Sequence, residues 1–305
     1  MLHNQVISFE LLSQRYEGCL IGLAIGDALG TTVEFCPRDS FSELTTIIGG
    51  GIFHLKAGQW TDDTSMTLCL AESLIICNGF NAHHQMTNYL RWWKNGHLSS
   101  TGRCFDIGNT VRAALSRFEK SGNPYSGSTN ILSAGNGSLM RLAPVVLYFY
   151  PLLSDVLHYS AESSKTTHAA PEAIECCQLL AFILYQALSG KDKATTLDGR
   201  SLLLIQPKVI SIACGNYKHK TKNEVKGSSY VIDSLEAALW CFYNSTSYRE
   251  AVLMAANLGD DADTTAAITG QIAGAFYGVN NIPNHWQNIL YQGKEIKDIA
   301  IKLLH

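Results

Sequence analysis

The sequence predicts an all-α protein, a single-domain orthogonal helical bundle over residues 1–305, and three observations carry that expectation. Apolar residues recur at helical spacing through most of the chain, whereas period-two alternation seldom lasts more than a few residues. With 46% hydrophobic and 16% charged side chains, the 305 residues have the composition of a compact globule with a sizeable core. Two ridges of glycine also recur at every fourth residue: Gly18, Gly22, Gly26 and Gly30 early in the chain, and Gly270, Gly274 and Gly278 late in it. A length prior of about 150 residues per domain would allow two domains. Internal repetition is confined to these ridges and two acidic clusters, and there is no repeat array.

From Phe9 to about Glu34 the pattern is helical. A glycine inside a helix costs about 1 kcal/mol relative to alanine, so a stripe of them calls for an offsetting gain such as close approach of another backbone. The late ridge has the same spacing. We therefore expect the two helices to cross in contact, carrying Asp27 and Glu34 towards the loop that precedes the second one. After an irregular stretch marked by Gly49-Gly-Gly51, the run Gly58-Gln-Trp-Thr-Asp-Asp-Thr-Ser-Met66 opens a helix through Leu68, Leu70, Ala71, Leu74 and Ile75. Helices follow over about Asn81 to Lys94 and Val111 to Glu119, with Asp106 in the break between them. Ala134-Gly-Asn-Gly-Ser-Leu-Met-Arg141 then reads as a helix start whose backbone N–H groups could cradle phosphate, although a plain turn is the commoner use of such glycines.

His168 stands just before a long helix that ends near Gly190, and Lys191 to Gly227 reads as a solvated polar loop. Tyr230 opens the next helix, and Tyr248 to Ala256 form another that delivers the chain into Gly259-Asp-Asp-Ala-Asp-Thr-Thr265. A last helix closes the chain after Pro283.

The acidic loop is mostly oxygen. Its carboxylates repel one another unless protonated, spread apart or neutralised by a cation, which suggests a hard-metal site. Aspartates at one helix start ordinarily just cap it. Two Thr/Asp-rich helix starts, joined by a glutamate at the end of a glycine-ridged helix, call for more than capping.

A net charge of -3 offers no broad basic surface to nucleic acid. The nine cysteines contain no C-x-x-C pair and read as reduced, buried thiols of a cytoplasmic protein, with Cys176 and Cys177 inside a helix. The N-terminus lacks the pattern of a secretory signal, and no run of about 20 apolar residues suggests a membrane span.

Taken together, the motifs resemble the ADP-ribosylglycohydrolase family, in layout most like its bacterial dinitrogenase-reductase-activating branch. They are Gly26-Asp-Ala-Leu-Gly30 with Glu34, Trp60-Thr-Asp-Asp-Thr64, Phe105-Asp-Ile-Gly-Asn-Thr110, Gly135-Asn-Gly-Ser-Leu-Met-Arg141, Thr167-His168 and Asp261-Ala-Asp-Thr264, in the family's order. The resemblance runs from about Gly18 to Pro283. It implies an all-helical fold of that type with a central dinuclear metal cleft holding two divalent cations, Mg²⁺ or Mn²⁺. Thr61, Asp62, Asp63, Asp261, Asp263 and Thr264 would be the ligands, with Glu34 at the metal site. Five carboxylates, those of Glu34, Asp62, Asp63, Asp261 and Asp263, would then face four positive charges, and oxygen-only ligands favour these ions over zinc.

The resemblance also implies that Gly135, Asn136, Gly137 and Ser138 hold the distal ribose and diphosphate, with Asn109 and Met140 in the same groove. His168 would contact the phosphate or ribose, Tyr230 would stack on adenine, and Asp106 or Glu34 would be the general base. The implied activity is metal-dependent cleavage of the bond between ADP-ribose and an acceptor, above all the guanidino nitrogen of a modified protein arginine. A non-catalytic ADP-ribose-binding relative, or a hydrolase of serine-linked or small ADP-ribose derivatives, is the alternative. Asp260 and Ala262 stand where many relatives carry glycine and threonine, and Asn109 stands where the nitrogenase-regulating branch is acidic. These departures spare the expected ligands but leave the target open.

Overall fold

The computed structural model describes residues 7–304, so most of the N-terminal stretch read above for an export signal lies outside the described residues. The chain runs through α1 (Phe9–Gly30), α2 (Asp62–Cys77), α3 (Ala82–Asn95), α4 (Asn109–Ser121), α5 (Ala143–Phe149), α6 (Leu153–Lys165) and α7 (Pro171–Leu188). It continues through α8 (Lys193–Thr196), α9 (Pro207–Ala213), α10 (Val231–Tyr243), α11 (Tyr248–Ala256), α12 (Ala262–Tyr277), α13 (Asn284–Ile289) and α14 (Gly293–Lys302). Among the described residues the only β-type pairing is three isolated bridges, so the expected all-α class holds.

The centre of the molecule is the crossing of α1 and α12, and the glycine ridges explain it. A Cβ added to Gly18 would lie 2.3 Å from the Gly274 carbonyl oxygen, and one on Gly22 would lie 2.4 Å from that of Gly270. Further along, one on Gly26 would lie 2.1 Å from the carbonyl oxygen of Ala266, and one on Gly30 2.4 Å from that of Ala262. The helices are therefore antiparallel and in backbone contact, a separation that only hydrogen on the α-carbon permits. From Gly18 to Gly30 α1 is buried on every face, as befits a helix apolar all round. Because the contact is antiparallel, the end of α1 meets the start of α12. That is how the ridges place the site.

Some elements differ from expectation. Gly278 is not part of the ridge: it has φ +79°, ends α12, and meets nothing closer than ordinary contact, so Ala262 and Ala266 complete the stripe instead. Helix α1 stops at Gly30, where a chain of turns through Thr31 to Cys36 takes over, so Glu34 is presented by a loop. Lys191 to Gly227 is not simply solvated, since it contains α8 and α9 and buries Val209, Ile212, Tyr217 and Val225. Arg38 ties this segment down by donating to the Lys222 and Val225 carbonyls at 2.5 and 2.6 Å. Helix α6 has no counterpart in the sequence reading, because its buried face is mostly small and polar (Ser160, Ala161, Ser163, Ser164) and gives no apolar period. The C-terminal part holds two helices rather than one. Cys176 and Cys177 lie in α7 as expected, but Cys214 is exposed, contrary to a wholly buried set. Among the described residues no helix is long and apolar enough to cross a membrane.

Candidate active site

Two helix starts, α2 and α12, meet at the end of α1. Asp27, fully buried in the last turns of α1, caps α2 from outside. Its Oδ1 accepts from the Thr61 amide (2.8 Å) and hydroxyl (2.9 Å), and its Oδ2 from the Thr64 amide (3.0 Å) and hydroxyl (2.6 Å). Capping by a neighbouring helix frees the acidic side chains of α2 for other work. Thr61 Oγ1 lies 3.2 Å from Asp263 Oδ2, and Thr264 Oγ1 lies 3.4 Å from Asp63 Oδ2, so residues some 200 positions apart interdigitate. Within α12, Asp263 Oδ1 accepts from the Thr264 amide at 2.7 Å.

Two loops complete the constellation. Carboxylate oxygens of Glu34, Asp106 and Asp263 lie within 4.8 Å of one another. Asp106 has φ +58°, and Phe35 (φ +61°) and Asp260 (φ +55°) are likewise left-handed. For phenylalanine that is an uncommon conformation, here locked by paired backbone bonds from Phe35 N to Asp260 O (2.7 Å) and from Asp260 N to Cys36 O (2.8 Å).

These groups form the floor of a cavity of about 900 Å³, large enough for a dinucleotide-sized ligand. Of the expected residues, its lining includes Glu34, Asp62, Asp106, Asn109, Gly135, Asn136, Gly137, Met140, His168, Asp261, Asp263 and Thr264. Thr61 and Asp63 are fully buried and adjoin that floor from behind. Two expected groove residues are placed elsewhere. Ser138 is buried behind the lining, where its hydroxyl accepts from Ser164 Oγ at 2.9 Å and from Cys177. Tyr230 pairs by backbone with Gly135, but its ring is outside the lining: the phenol donates to Glu172 and Lys208 Nζ sits 4.9 Å from the ring centroid. The glycine motif is a turn and not a helix start, since Pro144 sets the first turn of α5 further on. Its Gly135 and Asn136 amides already donate to Ser133 and Ser229 carbonyls at 2.8 and 3.1 Å, which removes them from a phosphate cradle. The Asn136 side chain instead donates to Asp261 Oδ2 at 2.7 Å.

The cavity also contains residues to which the sequence reading assigned no site role: Phe35, Val111, Ser228 and Ser229, together with Gly108, Thr110 and Asp260 from within the motifs. Most sit one position from an expected residue. Asp27 did have a signal, namely a charged residue inside an otherwise apolar glycine-ridged helix.

Burial raises the carboxylates of Glu34, Asp62, Asp63, Asp106, Asp261 and Asp263, and repulsion between neighbours adds to it. Glu34 is pushed up to about 10 by burial and then by Asp106 and Asp261. Asp106 is pushed up to about 7 by burial and then by Asp261 and Asp27. Asp62, Asp63 and Asp263 are held well above the usual range by burial and by the carboxylates beside them. Asp27 reaches only about 6 because its four hydrogen bonds oppose the burial. Glu34 Oε2 and Asp63 Oδ1 are buried without a hydrogen-bond partner among the described residues. Orphaned carboxylate oxygens, threonine hydroxyls and no nearby lysine or arginine in the lining make a donor set that fits hard divalent cations.

An all-helical bundle whose cleft is lined by a cluster of buried carboxylates has the form of an enzyme site that could hold a hard cation. More particularly, the chain belongs to the ADP-ribosylglycohydrolase family, whose sequence profile matches residues 10–305. It is 44% identical to the ADP-ribosylarginine hydrolase Tri1 of Serratia proteamaculans, over 95% of this chain and 78% of that protein. To the ADP-ribosyl-[dinitrogen reductase] glycohydrolase of Rhodospirillum rubrum it is 30% identical, over 88% of this chain and 87% of the other. A solved structure described as an ADP-ribosylglycohydrolase-related protein complex superposes with a TM-score of 0.85 at 38% identity, covering 97% of this chain and 98% of that one.

Proposed function

We propose that the protein hydrolyses the N-glycosidic bond between ADP-ribose and the guanidino group of a modified protein arginine. The meeting of the α2 and α12 starts, with Thr61 3.2 Å from Asp263, carries this reading. Identities of 44% and 45% to two ADP-ribosylarginine hydrolases support arginine as the acceptor. Thr61, Asp62, Asp63, Asp261, Asp263 and Thr264 would hold two divalent cations, with Glu34 beside them, and all-oxygen ligation favours Mg²⁺ or Mn²⁺. Ions bound there supply Lewis acidity and offset the carboxylate charge.

Asp27 holds the α2 ligands in place through its four bonds to Thr61 and Thr64. Asp106 lines the cleft and is only partly buried, whereas Glu34 is buried beside the expected ligands, and we assign Asp106 the general-base role. The linked guanidinium already carries a positive charge, so it would leave as neutral guanidine with little general-acid help and then take up the proton that Asp106 removes from the incoming water. His168, Gly137, Met140 and Asn109 line the remainder of the cleft, where the distal ribose and diphosphate would lie. The chain would act as one domain. The free cysteines support a reducing, cytoplasmic setting.

The test is release of ADP-ribose from arginine-linked, serine-linked and small-molecule substrates with and without Mg²⁺ or Mn²⁺. Metal-dependent release from the arginine-linked substrate is expected. Release from the serine-linked substrate alone would move the assignment to that linkage, and no release from any would leave only a binding role.

A further inference from the structure

Behind Gly137 and His168 in the cleft wall lies a cation with no counter-ion. Arg141 is fully buried, and among the described residues its guanidinium meets no carboxylate. Nη1 donates to the Gly137 carbonyl at 2.8 Å, Nη2 donates to the Thr167 hydroxyl at 2.6 Å, and the Tyr89 ring lies 4.6 Å away. A buried charge left unpaired is costly, so its retention calls for an anion within reach of its field. The lining nearest to it is neutral, and the only charged side chains in the cavity are acidic.

Thr167, also fully buried, links this cation to the cleft. Its oxygen accepts from Arg141 and lies 2.9 Å from His168 Nδ1. Among the described residues no other acceptor is within reach of the Thr167 hydroxyl hydrogen, so that hydrogen goes to Nδ1. Were Nδ1 protonated instead, two donors would face each other across one oxygen and the hydroxyl hydrogen would be left unsatisfied. Nδ1 is thus an acceptor and the ring proton sits on Nε2. Burial, then the Arg141 charge, pushes the imidazolium down to about 3, which keeps the ring neutral. Nε2 has no partner among the described residues and lies at the wall formed by Gly135 and Gly137. A Cβ on Gly137 would stand 2.9 Å from His168 Cε1, so a glycine there leaves room for the ring edge at the cleft.

We propose that Arg141 and Thr167 are positioning residues that lock His168 as the Nε2–H tautomer, so that a neutral donor backed by buried positive charge receives an anionic oxygen of the ligand's diphosphate. The diphosphate part rests on the function proposed above, whereas the tautomer does not.

The experiment uses full-length, Mg²⁺-loaded protein labelled with ¹⁵N-histidine, with the His168 signal assigned by its loss in His168→Gln. Two-bond ¹H–¹⁵N spectra read the tautomer, and calorimetry reads ADP-ribose affinity. Wild type should show Nε2–H from about pH 5.5 to 8, well above the His168 transition. Thr167→Val should lose that preference and bind ADP-ribose about tenfold more weakly, as expected for one hydrogen bond to a charged acceptor, while Thr167→Ser restores both. A wild-type ring that is Nδ1–H or charged, in protein that binds ADP-ribose, overturns the relay by itself and needs no variant to fold. Unchanged tautomer and affinity in Thr167→Val also overturn it. Wild-type protein that binds no ADP-ribose overturns the functional reading, and with it the diphosphate acceptor.

Discussion

Asp27 carries a carboxylate into the buried half of α1 because two amides and two hydroxyls at the start of α2 await it there. An asparagine offers one acceptor oxygen for those four donors. Asp27→Asn should therefore destabilise the protein by about 2 kcal/mol, read by denaturant melts, and weaken divalent-ion binding at least tenfold by calorimetry. Asp106→Asn keeps the shape and removes the base. We expect kcat to fall by about 10²–10⁴ with ADP-ribose affinity retained, and an effect below about threefold would remove Asp106 from the chemistry. The titrating residues also set a pH dependence for the metal-free protein. Glu34 and Asp106 hold protons more tightly folded than unfolded. Their contribution to stability is fully present below the unfolded carboxylate value of about 4, and is lost as pH rises through about 7 for Asp106 and about 10 for Glu34. Metal-free protein should thus melt at lower temperature at pH 8 than at pH 5.5, and added Mn²⁺ should raise the melting temperature more at pH 8. The motifs made most acidic residues legible in the sequence. The capping role of Asp27 was not, because the helix start it serves lies more than thirty residues away, and neither was the sequestration of Tyr230 by Lys208 and Glu172.

At the scale of elements, the α1–α12 crossing is held by the absence of side chains. Gly26→Val would drive a branched side chain into the Ala266 carbonyl, 2.1 Å from the first added carbon, and no rotamer relieves a clash with backbone. Destabilisation of at least about 3 kcal/mol is expected, in contrast with under about 1 kcal/mol for Gly108→Ala before α4, where φ is -61° and an added Cβ meets nothing within 4 Å, both measured by thermal or urea unfolding. Equal losses at the two positions would mean that the crossing is not close. The ridge was readable because a fourth-residue repeat of glycine has few other uses. Its last member was misjudged at Gly278 because a glycine that continues a helix and one that ends it look alike in sequence. Helix α6 was hidden for a complementary reason: it packs Ser160, Ser163 and Ser164 inward, and apolar periodicity is blind to a polar interior face.

At the scale of the whole molecule, the fold serves to bring two distant helix starts together at the end of one helix. The antiparallel crossing delivers α12's acidic start to α1's end, and Asp27 fastens α2's acidic start to the same place. Each start alone would be an ordinary cap. Together they are a concentration of buried negative charge that folding alone would not favour. The most direct test is a double-mutant cycle on metal binding, titrating Mn²⁺ by calorimetry into wild type, Asp62→Ala, Asp263→Ala and the double variant. The account predicts two ions per wild-type chain, at least one lost in each single variant, and a coupling between the positions of about 1 kcal/mol or more. Additive losses, or a wild-type chain that takes up no divalent ion, would contradict it.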